Sequence, residues 1–148
     1  MIEVSETIVL DHSREDVFEF LDDPHNHHQI TPSLERVENI ERLDNGGKRI
    51  DHTFKIGGIK LDGELVQTVH EPPERMVFDM RGQLEGEIRL DIKETEAGTE
   101  VTYSAGYDLP GNIIERLARP FVEKYNEREL TTTLENLKTR LDSAEQPA

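Results

Sequence analysis

The 148 residues carry 32 acids against 17 bases, a formal net charge of −15, and no cysteine. That length gives one domain, expected over 1–148, and leaves no room for a second. Disulfides, thiol nucleophiles and cysteine-bound metals are excluded, and so acidic a surface repels nucleic acid and anionic lipid.

The acids are scattered over nearly every segment rather than blocked together. Their spread favours a halophilic, high-salt surface, part of an acidic proteome, over an acidic patch made for one basic partner. No apolar run approaches the roughly 20 residues that cross a bilayer. Met1 to Leu10 carries Glu3 and Glu6 and lacks the basic start and apolar stretch of a signal peptide, so a cytoplasmic protein without integral membrane association is expected.

Residues 2–10 alternate as a strand, with Val4, Ile8 and Leu10 on one face. Ser13, with Asp16 three residues on, caps a short helix carrying Val17, Phe20 and Leu21. Asp23-Pro24 then starts a second short helix that runs to about Ile30. From Leu34 to Leu109 the period is almost purely two. It is cut by Asp44-Asn45-Gly46-Gly47, Gly57-Gly58, Glu71-Pro72-Pro73-Glu74, Gly82 and Glu96-Ala97-Gly98. An irregular run at 34–43 precedes five clear strands. Their inward residues are Ile50, His52, Phe54 and Ile56; Ile59, Leu61, Leu65 and Val69; Met76, Phe78 and Met80; Leu84, Ile88, Leu90 and Ile92; and Val101, Tyr103, Ala105 and Tyr107. One long helix closes the chain, capped by Asn112 with Glu115, kinked by Pro120 near 116–120, and striped by Leu130, Leu134, Leu137 and Leu141. Ile114, Leu117 and Phe121 extend its apolar face backward, and 142–148 is expected as a frayed tail. The class is α+β: a helix-grip fold with a seven-stranded curved antiparallel sheet wrapped around a long C-terminal helix, and two short helices after strand 1.

This order comes with recognisable phrases: SREDVFEFLDDP, NGGKRIDHTFKIGGIKLDGELVQTVHEPPERMVFD, GTEVTYSAGYDLPG and NERELTTTLENLKTRL. Together they resemble the START-like (SRPBCC) superfamily, and within it the polyketide cyclase/dehydrase-related branch, over roughly residues 3–141. The resemblance implies a deep cavity between sheet and long helix. It also implies a small apolar ligand, such as a lipid, sterol, polyketide or plant hormone, with cyclisation or dehydration in a minority of members.

Polar residues on an apolar inner face must find a partner, water or ligand. His52, Gln67, Tyr103 and Tyr107 are such interruptions. With Phe54, Phe78, Leu117 and Phe121 they are expected to border one ligand-binding pocket, with His52 the candidate acid/base if a reaction occurs. Against this stands the plainer reading, in which His52 and Gln67 satisfy each other and the tyrosines pack at a rim. Glu6 is a candidate partner for these groups, or an ordinary surface acid. His25, His27 and His28 beside Asp22 and Asp23 suggest a metal but supply no fixed third ligand, so a solvated helix start is expected and no metal. No phosphate loop, dinucleotide fingerprint or nucleophile elbow occurs, and no cofactor is expected. The expected partner is a small apolar molecule, bound by a monomer or weak homodimer; the enzyme alternative is a cofactor-independent cyclase or dehydratase.

Overall fold

The computed structural model describes residues 2–145. In chain order the elements are β1 (Ile2–Leu10), α1 (Arg14–Leu21), α2 (Pro24–Ile30), β2 (Leu34–Arg42), β3 (Lys48–Ile56), β4 (Ile59–Glu71), β5 (Arg75–Gly82), β6 (Glu85–Thr95), β7 (Gly98–Asp108), α3 (Gly111–Arg116) and α4 (Arg119–Glu145). The strands form one seven-stranded antiparallel sheet in the order β1-β7-β6-β5-β4-β3-β2. Its dry face is covered by α4 and by the α1–α2 corner, which makes this a helix-grip α+β fold.

Local chemistry accounts for the elements. Ser13 Oγ accepts from the Asp16 amide at 3.1 Å to start α1, and Asp23 Oδ1 accepts from the His25 amide at 2.9 Å ahead of Pro24 to start α2. Gly57 and Gly58 take φ of +56° and +84°, the left-handed pair that a two-residue hairpin between β3 and β4 demands. On β1 the alternation buries Ile2 and Leu10, with Val4 and Ile8 packed beside the core.

Two readings of the strands and helix change. In β4 the register slips between Gln67 and Val69. This bulge reverses the phase, so Val69 faces Val77 on the outer side of β5 rather than the core. His70 turns inward opposite the fully buried Met76, with its ring 5.4 Å from that of Phe18. The last helix is two helices. Leu117 ends α3 as its C-cap, and Pro120 sits in the first turn of α4, where a missing N–H costs nothing. The result is a break instead of a kink. The cap position of α3 is Pro110 with no side-chain cap bond, so Asn112 does not fill that role; the side chain of Glu115 lies outside the described residues. The break also rotates the helical face: Val122 is buried, while Phe121 is 49% exposed. Beyond it the stripe holds, and Leu130, Leu134, Leu137 and Leu141 are all buried.

Candidate functional site

Two adjacent cavities lie on the inner face of the sheet. The first sits under the α1–α2 corner, where Leu21, Pro24 and His27 face Ile50, Leu65, Gln67 and Phe78. The second lies under α4, where Asn126, Leu130 and Thr133 face Met80, Leu84 and Tyr107. Thr31, Phe54, Ile88 and Tyr103 belong to both walls and so divide one from the other. Atom-free space, openings included, is about 560 Å³ in the first and about 510 Å³ in the second. The part open to the centre of a water molecule is only about 40 and 50 Å³. The chambers are narrow as they stand.

Their walls are apolar with a few placed polar atoms. Gln67 is 2% exposed, and its Oε1 accepts from the Lys48 amide at 3.0 Å. A backbone N–H can only donate, so this bond fixes which end of the side-chain amide is oxygen. Nε2 is then the other end, and it has no hydrogen-bond partner among the described residues. Thr31 Oγ1 and Thr133 Oγ1 are likewise buried without partners. Tyr107 is tied down: its hydroxyl accepts from Asn126 Nδ2, and burial pushes its pKa up to about 12. Burial, helped by the nearby Glu129 carboxylate, pushes the Tyr103 hydroxyl up as well. Both phenols stay protonated at neutral pH. Glu129 Oε1 accepts from the Ser33 amide at 2.6 Å, pinning α4 to the start of β2.

At the first cavity His27 Nε2 lies 2.5 Å from the Leu21 carbonyl, and two acceptors cannot bond, so Nε2 carries the proton and donates. Burial lowers its pKa, so the ring is neutral with its Nδ1 lone pair unprotonated. Lys48 Nζ donates to the Asp22 carbonyl at 2.7 Å and sits 3.6 Å from its carboxylate, which also meets His70 Nε2 at 3.0 Å. One lysine and one aspartate thus stand in this wall with their charges opposed.

Of the residues expected at one pocket, Phe54, Gln67, Phe78 and Tyr103 line the first cavity, and Phe54, Tyr103 and Tyr107 the second. His52 lines neither. It is 1% exposed on the inner face, its ring 4.7 Å from that of Phe54, and Nε2 lies 3.4 Å from where a Cβ on Gly63 would stand. Gly63 is the residue opposite His52 in the β3–β4 ladder, and the imidazole packs against its side-chain-free position. Leu117 and Phe121 pack on the Gly57 turn: both would meet a Cβ there at 3.2 Å. Phe121 lies on an open surface groove with Pro32 and Tyr125.

The histidine-rich start of α2 is not uniformly solvated: His25 and His28 are exposed while His27 turns inward against Phe78, ring to ring at 6.2 Å. Its signal was helical spacing, since Pro24, His27 and Thr31 share a face beside the buried Ile30. Among the described residues no group of three or more His, Asp or Glu could hold a metal ion. No helix among the described residues is long and apolar enough to cross a membrane.

Residues 1–142 match the profile of the polyketide cyclase/dehydrase and lipid transport family. The chain belongs to that family. No protein among those of curated function matches it. Solved structures share its fold. A Thermus thermophilus protein, TTHA0849, superposes with a TM-score of 0.83 at 20% identity over 97% of this chain and 99% of that one. A START superfamily protein from Mycobacterium smegmatis gives 0.73 at 16% identity, covering 96% and 98%. The di-domain aromatase/cyclase StfQ of the steffimycin biosynthetic pathway gives 0.76 at 13% identity. It covers 93% of this chain and 49% of StfQ, so the chain spans about half that protein.

Proposed function

We propose that the protein binds a small, largely apolar molecule, lipid- or polyketide-like, between its sheet and its helices. One observation carries this reading: Thr31 Oγ1, Gln67 Nε2 and Thr133 Oγ1 are buried in the walls of two adjoining apolar cavities and have no partner among the described residues. A buried polar atom left unpaired costs about 1–3 kcal/mol, which a ligand group or an ordered water recovers. A few such atoms on an apolar wall are how small-molecule sites fix orientation. Family membership points the same way. Native mass spectrometry of the freshly purified protein tests it: a bound apolar species, or uptake of added fatty acid or aromatic polyketide, is expected. Denaturant titrations in which Gln67→Met and Thr133→Val raise stability, with no uptake of either ligand class, would point to a solid core.

The second reading is a cofactor-independent cyclase or dehydratase using the same space. His27 favours it, as a neutral imidazole at the first cavity with Nδ1 unprotonated. This is the state a general base needs. Turnover of a polyketide-like substrate that is lost in His27→Phe but kept in His52→Leu would establish it.

A further inference from the structure

The ligand-binding reading leaves open what the ligand's polar end must be, and the wall of the first cavity answers that. Gln67 sits where three constraints meet. Its Oε1 is committed to the Lys48 amide, Asn45 Nδ2 donates to its backbone carbonyl at 2.9 Å, and Gly47 packs so close that a Cβ there would stand 2.7 Å from Oε1. The side chain therefore cannot turn over, and Nε2 is held as a fixed donor with no acceptor among the described residues.

The charges around it are already matched. Lys48 is the cationic side chain in this wall, and it is occupied by the Asp22 carbonyl and carboxylate. A ligand carboxylate here would be stripped of water with no uncompensated cation to meet it, which is strongly unfavourable. A neutral oxygen carries no such penalty and still accepts from an amide.

We propose that Gln67 Nε2 is the head-group donor of the first cavity and selects a neutral hydrogen-bond-accepting oxygen, a ketone or ester carbonyl, on an otherwise apolar ligand. This rests on the ligand-binding reading. Three probes share one bicyclic body and differ at the head: 2-acetylnaphthalene, 2-ethylnaphthalene and 2-naphthoate. Calorimetry on the whole chain should find the ketone bound about tenfold tighter than the hydrocarbon, the yield of one net hydrogen bond, and the carboxylate weakest. In protein labelled with ¹⁵N at its four glutamines, one side-chain NH₂ pair should shift with the ketone and not with the hydrocarbon. Gln67→Met should bring ketone and hydrocarbon to equal affinity; if that variant does not fold, the glutamine spectrum of the wild type decides. Hydrocarbon binding with no preference for the ketone and a still NH₂ signal overturns the donor assignment and leaves the ligand-binding reading standing. Tightest binding of the naphthoate also overturns it. No binding of any probe overturns both.

Discussion

Burial holds the pKa of His52 down to about 4, from an ordinary 6.5, and the Glu64 backbone opposes this only in part. No hydrogen bond of normal geometry from the described residues reaches either ring nitrogen. In the unfolded chain the same ring protonates near 6.5, so between 6.5 and about 4 the unfolded state binds the extra proton. Stability is therefore intact above pH 6.5 and is lost as pH falls through that window, by about 3 kcal/mol at its lower end. Burial lowers the pKa of His27 too, so it adds to the loss with the same sign. Denaturant titrations at several pH values should show this slope, and His52→Leu should make it shallower. An unchanged slope in that variant would assign the effect elsewhere. At this scale period two carried far: it put Phe54, Gln67, Phe78 and Tyr103 on one face, and all four line the first cavity. It could not show that His52, on the same face, packs against Gly63 instead of lining a cavity, because that depends on which residues pair across strands. His27 was hidden by the polarity of its neighbours.

Between elements, packing decides which changes matter. Leu137 is fully buried and Leu134 nearly so, on the part of α4 that clamps the sheet. Substitution of either by Ala should cost about 2–5 kcal/mol by leaving a cavity. Phe121→Ala should cost less than about 1 kcal/mol, since its ring is half in water. Equal losses at all three sites, in denaturant titrations, would contradict the break between α3 and α4. The hairpin offers a sharper comparison. Gly57→Ala and Gly58→Ala both place an L residue at positive φ, costing about 1 kcal/mol each. Only the Gly57 change also meets Leu117 and Phe121, so its melting temperature should fall further. Element order, strand phases and the leucine stripe were legible because each repeats over many residues. The bulge at Thr68 and the break at Leu117 were not. Each is a single-residue change of phase, and only the neighbouring strand or the far wall makes it favourable.

For the molecule as a whole, charge is the main lever. Arg49 is paired with Asp51 and Glu64, and Arg75 and Arg89 share Asp91. With 32 acids against 17 bases, a net charge of −15, carboxylates remain in large excess over the cations that could answer them. At about 0.01 M salt the Debye length is about 30 Å and their repulsion spans the domain; at about 1 M it is about 3 Å. On the high-salt reading the melting temperature should climb steeply with chloride up to about 1 M and more slowly beyond, with less climb near the sequence pI of 4.7. A flat series at pH 7 would remove that reading.

The wall that Phe54 and Tyr103 place between the two cavities has a kinetic meaning as well. Space for little more than a few waters on either side cannot admit a bicyclic or acyl body without those rings moving. On the ligand-binding reading, capture then has two steps: the domain opens at its own rate, and the ligand enters only while it is open. In stopped-flow mixing the observed rate should rise with ligand concentration and then level off at the opening rate, far below diffusion control. Phe54→Ala should lift that plateau, even if it weakens the final complex.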